Sequence, residues 1–578
     1  MRIRTLCAIA LLISAACSAS PMPSSQRGAR QEMGGPKTTK VLTVGIGTGV
    51  QALSIMAART TIGGWGSMSE LHSEGLITSG FNDRRPIGRL AERVPSVEDG
   101  SISILSDGRM RVVYHLRQGV TWQDGAPFTA ADLVFSYRLM SDPGIPSTMN
   151  ESINFIESTE APDSHTFVVY FTGPYFLGAS LGVRRFWPQP QHLLGEAYER
   201  YLVSKNADDV ANLPYWTSQY VHLGPFRLTA FDPGEGSTYE AYDAYFLGRP
   251  KVDVVRIRTF ADENTLYSNL LAGTVDMVAD TALNTDLGYL LQKQWESSGA
   301  GVVHVRPTGG TRFLAPQWRS WVQIEPAVLD PKVRTALYVA LDREALSEGL
   351  PYREEPAWSL LPPGERLYDA TKDGFRPYRF DPDRARSMLR DLGWIASPDG
   401  LLRHSSDGRH FRTAISITVG SRQWEVPVYA DYWRRIGLEV EEVIIPSSQV
   451  RSPEIRAYYP GWEASSSGGG DSVLGRLQGP ASSAENRWTG ERGGYEDPRA
   501  QQLLARYYTS ISDRDQFDSM KAMSDFIAAD LPILITYFNT DHIGARKGVR
   551  ALEDVLGGAQ AGQPYGTYSR NAYLWDIE

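Results

Sequence analysis

Two segments of the chain open alike, with an aspartate, a proline and then an apolar stripe at helical spacing. In LDPKVRTALYVALDREAL, Asp330 supplies an N-cap acceptor and Pro331 suits the first helical position, where its missing N–H goes unused. Val333, Ala336, Leu337, Ala340 and Leu341 then fall on one face. FDPDRARSMLRDLGW repeats the device, with Asp381 and Pro382 at the start and Gly393 as the stop. A third stripe, Tyr429, Tyr432, Trp433 and Ile436, ends at Gly437. Strand patterns lie between these helices. LEVEEVIIP alternates Leu438 and Val440 with Glu439 and Glu441, and AISITVG alternates at Ile415, Ile417 and Val419. KVLTVGIG is a near-continuous apolar run, as a buried strand would be. Helices and strands interleaved in this way predict α/β lobes.

The length, 578 residues, predicts several domains or one large lobe-built body. A net charge of −9 and the lack of a basic stripe argue against nucleic acid as a partner. Gly45, Gly47 and Gly49 follow the first strand without Rossmann spacing or the Lys-Ser/Thr of a P-loop, so they are expected to form a strand-end turn.

The N-terminus starts MRIRTLCAIALLISAAC: two arginines, an apolar run from Leu6 to Ile13, then small residues up to Cys17. This is the pattern of an export signal, too short to span as a mature membrane helix. Ser14-Ala15-Ala16-Cys17 resembles a bacterial lipobox, whose cysteine is lipidated, except that Ser14 stands where Leu is usual. Ordinary cleavage further downstream is the alternative. Cys7 lies inside the signal, so the mature chain would keep only Cys17, with no internal disulfide and no thiol zinc site. Residues 18–40, rich in Ser, Gly and Pro, are expected to be a flexible tether.

Two stretches are rich in turn residues. GPFRLTAFDPGEGSTYEAYDAYFLGRPKVD reads as short β-pieces, and YYPGWEASSSGGGDSVLGRLQGPASSAEN as a loop in which the isolated Trp462 has a task. No catalytic motif stands in a supporting context. His404 and Asp407 are expected to form a polar hairpin turn, His410 completes no trusted metal spacing, and Asp208 and Asp209 read as a solvated helix start.

Several blocks occur in an order that resembles the dipeptide and oligopeptide class (family 5) of bacterial ABC-transporter solute-binding proteins. They run from HLRQGVTWQDGAPFTAADLVFSYR through GPFRLTAF, YDAYFLGRPKVDVVRIR, NTLYSNLLAGTVDMV, DPKVRTALYVALDREAL, FDPDRARSMLRDLGW and YWRRIGLEVE to GGYEDPRAQQLLARYY and DLPILITYF. Together they cover roughly residues 41–570. The resemblance implies a periplasmic-binding-protein-like α/β fold, with two lobes closing on a hinge and an additional α+β domain on the N-terminal lobe. It would divide the chain into a lipoprotein-type signal (1–16), lipidated Cys17 with its tether (17–40), lobe I (41–78), the additional domain (79–221), lobe I again (222–312), lobe II (313–535) and a return to lobe I (536–578). The WQDG turn would then be structural: Trp122 packs, Gly125 permits the turn, and Thr129 caps a helix with Asp132 three residues on.

Its implied function is capture of a solute outside the cytoplasmic membrane and delivery to an ABC permease, whose own subunits hydrolyse ATP. A monomer without cofactor or metal, lipid-anchored in the periplasm or on the outer face of the membrane, is expected. The ligand would be a short peptide, with an oligosaccharide or other polar metabolite as the runner-up. A sensor or chaperone using the same cleft is the rival class, and an enzyme comes third. In similar dipeptide binders an arginine after a strand holds the ligand carboxylate, with an aromatic just beyond; Arg422 and Trp424 match that pattern. Ser465 stands three residues after Trp462, where such binders carry the Asp that receives the ammonium, and a neutral hydroxyl supplies no charge partner. Asp471 or Glu463 would substitute, or the ligand has no free amino end there. Trp65 is a candidate from the first lobe, with core packing as its other reading.

Overall fold

The computed structural model describes residues 39–578 apart from 48, 50–51, 54–63, 80–85, 146–150, 184, 279–281, 353, 421, 447, 450–451, 469, 487, 489 and 553–566. The export signal, the tether and Cys17 lie outside the described residues. Among those described, no helix is long and apolar enough to cross a membrane.

Ten strands carry the architecture: β1 (Val41–Ile46), β2 (Phe226–Asp232), β3 (Gly236–Ala241), β4 (Val254–Thr259), β5 (Met277–Val278), β6 (Gly301–Pro316), β7 (Arg412–Thr418), β8 (Glu439–Ile445), β9 (Trp462–Ser466) and β10 (Leu534–Arg546). Hydrogen bonds join them in the order β8-β7-β9-β6-β10-β5-β1-β4-β3-β2. β1 is parallel to both β4 and β5, and β7 to both β8 and β9. Such positions are covered on both faces, which is why Leu42, Val44 and Ile46 are buried and why β7 buries nearly every residue instead of alternating.

β6 and β10 are the long members of the order, and they link its two halves. The first part of β6 pairs with Thr540–Arg546, its last part with Leu534–Phe538, and the register shifts between Pro307 and Thr311 and again before Phe313. On one side of that break Ile543 and Ala545 join a core with Leu42, Val255 and Trp575. On the other side Phe313, Leu314 and Ile535 join a separate core with Leu337, Ile415 and Trp433. A smaller cluster around Leu266, Leu291 and Trp295 packs beneath the first side. Two cores linked by one antiparallel pair make a two-lobe α/β fold.

Inserted in the first lobe is a four-stranded antiparallel sheet of Ile102–Ile104, Met110–His115, Thr166–Phe171 and Ile156–Asp163, which shares that lobe's core. The WQDG turn braces it. Trp122 is wholly buried, donates through Nε1 to the Asp132 carboxylate at 3.4 Å and meets the rings of Phe128 and His222 edge-on. Gly125 takes a positive φ of 91°, and Asp132 accepts the Thr129 backbone N–H at 2.9 Å at the start of helix Ala130–Ser141. The large aromatic in this turn therefore packs and ties the turn to the helix.

The capped helices form as their sequences predict. Asp330 accepts from the Lys332 N–H ahead of Pro331–Val339, and Asp381 from that of Arg384 ahead of Pro382–Asp391. Gly393 and Gly437 sit just past helix ends at positive φ. The GPFRLTAF stretch folds into the β2–β3 hairpin. His404 closes β-strand Leu402–His404 before a turn bridged by Arg403 and His410, and Asp208 begins a one-turn helix. One expectation is overturned. The Trp462 segment is not a loop there, since Trp462–Ser466 is β9, held between β6 and β7.

Candidate functional site

The lobes meet where the loop after β7 faces the helix Thr285–Ser298 of the first lobe. That helix is set rigidly, because its N-cap Asn284 accepts from the Leu287 N–H at 2.8 Å. Gly288 leaves no room for a side chain, since a Cβ there would come within 2.8 Å of the His542 ring on β10. Thr285, in the first turn, accepts from Arg422 at 2.7 Å and so bridges one lobe to the other.

Arg422 has further partners. Its guanidinium makes a two-pronged pair with Glu354, both hydrogen bonds at 3.0 Å, and also donates to the Tyr537 hydroxyl at 2.9 Å. The Glu354 side chain is completely buried, and it accepts from both the backbone N–H (3.0 Å) and the hydroxyl (2.5 Å) of Thr540. Burial alone would lift its carboxyl, but the Arg422 charge and these hydrogen bonds hold it below the usual carboxylate range. Tyr537 donates in turn to Glu425, which pairs with Arg312 at 2.5 Å. The result is a network of two arginines and two carboxylates, threaded through one tyrosine and resting on β6 and β10.

Beside it, Tyr352 of the second lobe stacks on His542 at 4.7 Å and meets Tyr289 of the first-lobe helix edge-on at 5.7 Å. Burial pushes His542 down to about 4, so its ring is neutral at physiological pH. A second contact between lobes lies on the inserted segment. There Phe176 stacks on Tyr508 at 6.0 Å and tilts against Tyr507 at 4.9 Å, both on helix Pro498–Thr509. The two lobes therefore touch at two places in the described state.

The residues expected to hold a ligand separate into groups. Arg422 stands at the junction, but the four N–H bonds of its terminal nitrogens already go to protein groups. Trp424 is half-buried, packs against the second-lobe core and precedes helix Glu425–Arg435. Ser465 is half-exposed on β9 opposite Phe313. Trp462 is not a platform for a ligand: it is wholly buried, 5.1 Å from the Trp433 ring, because β9 is an inner strand. Glu463 cannot take an ammonium, because Arg456, Arg476 and Arg492 surround its carboxylate at 3.0, 2.5 and 3.1 Å. Asp471 accepts from the Tyr507 hydroxyl at 2.9 Å, so it faces the second interlobe contact. Trp65 falls on the 3-10 helix Gly64–Leu71, and its side chain lies outside the described residues. Sequence reasoning missed Glu354, Thr285, Tyr352, Tyr537 and His542, none of which stands in a recognisable local pattern.

Comparison with known proteins agrees with this architecture. A family model described as bacterial extracellular solute-binding proteins, family 5 (middle) matches residues 85–484. The oligopeptide-binding protein AppA of Bacillus subtilis is 24% identical over 453 residues, covering 76% of this chain and 77% of the relative. OppA of the same organism is 22% identical over 558 residues, 93% and 94% of the two chains. Among solved structures, an oligopeptide-binding protein from Thermus thermophilus in complex with a pentapeptide superposes with a TM-score of 0.73 at 20% identity, covering 93% and 96%. NikZ from Campylobacter jejuni in complex with Ni(L-His) gives 0.74 at 18% identity, covering 94% and 100%. With that match, and two lobes in contact at their junction, the chain belongs to the bacterial extracellular solute-binding proteins of family 5.

Proposed function

We propose that this protein captures short peptides outside the cytoplasmic membrane and hands them to the permease of an ABC importer. The observation that carries the reading is the β6–β10 crossing. Two separately cored lobes are joined by one strand pair whose register breaks at Pro307–Thr311, with side chains of both lobes in contact beside it. A ligand touching both lobes would favour the closed state by its differential affinity for closed over open. Peptides are favoured because AppA, OppA and the Thermus thermophilus protein are named for binding them. A second reading, a chelated metal or another polar solute, is favoured by the likeness to NikZ, whose structure holds Ni(L-His). In either case the chain binds and releases without chemistry, as a monomer tethered through Cys17, and ATP is spent by its partners. Trp424 and Ser465, which are not fully buried, are the sequence-expected residues we assign to the ligand surface.

The test is to purify the protein from its own host without added ligand, denature it and identify the released small molecules by mass spectrometry. A series of short peptides is expected. A metal chelate or a sugar in their place would overturn the peptide reading.

A further inference from the structure

The Arg422 guanidinium has four N–H bonds on its two terminal nitrogens, and four side-chain hydrogen bonds use them: two to Glu354, one to Tyr537 and one to Thr285. Its positive charge is met by a carboxylate in fork-to-fork geometry. Glu354 is equally committed, because its two oxygens accept from Arg422 and from the backbone and hydroxyl of Thr540. A ligand carboxylate could make the same two-pronged pair with Arg422 only by displacing Glu354. That would strand a completely buried carboxylate without its counter-charge. The neighbouring Arg312 offers no alternative, since it is buried and paired with Glu425. The aromatic row Tyr289–Tyr352–His542 beside the pair is uncharged, with His542 held neutral by burial.

We propose that Glu354 is a built-in substitute for a ligand carboxylate and a specificity determinant. It neutralises Arg422, so the group seated against this wall is an uncharged hydrogen-bonding one, such as the middle of a peptide or an amide, and not a free carboxyl terminus. This rests on the peptide reading above and narrows it: the end of the peptide must lie elsewhere in the cleft or extend beyond it. Thr285 and Thr540 take part because they bring the pair into register with the first-lobe helix and with β10.

Two measurements test this. A pool of tri- to hexapeptides is titrated by calorimetry as free acids and as C-terminal amides. Wild type is expected to bind the two pools equally, and Glu354→Gln, which uncovers the Arg422 charge, to favour the acids by about tenfold. A wild-type preference for acids of about tenfold, lost in Arg422→Gln, would overturn the proposal. The second measurement needs no ligand. In Glu354→Ala the missing carboxylate leaves a gap against Arg422, so millimolar propionate is expected to raise the melting temperature of Glu354→Ala, but not of wild type or of Glu354→Ala/Arg422→Gln. Absence of that rescue overturns the proposal. If rescue occurs but neither peptide pool binds any form, the peptide reading fails while the internal pairing of Arg422 stands.

Discussion

Two of the places where the structure buries arginine against carboxylate are built to opposite ends. At the lobe junction Arg422 and Glu354 match one for one, and the pair reaches across to Thr285 in the other lobe. Inside the second lobe, Glu463 draws three arginines, one of which, Arg476, also reaches Glu491 at 3.2 Å. That cluster carries three positive groups for two negative ones and, among the described residues, its side chains make no hydrogen bond or ion pair with the first lobe. A buried ion pair seldom adds stability by existing, but breaking one leaves an uncompensated charge. The difference therefore lies in what each break would release. Removing Glu463 leaves Arg456 and Arg492 without their carboxylate and Arg476 with Glu491 alone, while weakening the junction loosens one lobe from the other and leaves both cores intact.

The largest effect should follow Glu463→Gln. Equilibrium urea unfolding is expected to show the second lobe destabilised by about 3–5 kcal/mol with the first unchanged. Equal loss in both lobes would break the distinction between an internal and a bridging cluster. Acid should act through the same group. Burial raises the Glu463 carboxyl, but Arg492, Arg476 and Arg456 outweigh it and hold it at about 2. A carboxyl depressed in the folded state contributes stability that is fully present above its unfolded value, near pH 4.5, and is lost as pH falls toward 2. That contribution is on the order of 3 kcal/mol. Glu463→Gln should flatten the second lobe's stability profile over this window, measured by hydrogen exchange against pH, and a profile as steep as wild type would refute the assignment.

Why the sequence showed one kind of feature and hid the other follows from range. Asp330 with Pro331, Asp381 with Gly393, and the Trp122 turn are settled by residues within about a dozen positions of each other, so local chemistry exposes them. Glu354 has no such neighbourhood: its partners Arg422 and Thr540 lie 68 and 186 residues away. Trp462 misleads for a related reason. Ser and Gly around it read as loop, yet pairing with β6 and β7, both distant in sequence, makes WEASS an inner strand. Arg422 was legible as a special residue but not as an occupied one, since only the fold supplies its counter-charge.

Within the second-lobe cluster the arginines should not count equally. Arg476 is wedged between Glu463 and Glu491 and is nearly buried, whereas Arg492, among the described residues, ion-pairs with Glu463 alone and is 32% exposed. Arg476→Met is expected to cost about 3 kcal/mol in thermal or urea unfolding, Arg492→Met about 1 kcal/mol. Equal costs would mean that total charge, and not bridging geometry, holds the cluster together.

The smallest change in stability should accompany the largest change in shape, and that is the sharpest test of the junction. Thr285→Val keeps the volume and the β-branch of the side chain but removes the hydroxyl that accepts from Arg422 at 2.7 Å. One hydrogen bond from a charged donor is worth about 1.5–3 kcal/mol where nothing replaces it. Here, however, Arg422 keeps Glu354 and Tyr537, and water can reach the freed N–H once the lobes part. Unfolding stability should therefore fall by no more than about 1 kcal/mol. The lobes lose a direct tie beside the hinge, so the ligand-free variant is expected to show a larger radius of gyration by small-angle scattering. Saturating ligand should restore the wild-type value, because contacts from both lobes to the ligand replace the lost one. An unchanged radius in the ligand-free variant would assign closure to the aromatic contact of Phe176 with Tyr507 and Tyr508, and would reduce the Arg422–Glu354 pair to a fixture of the second lobe alone.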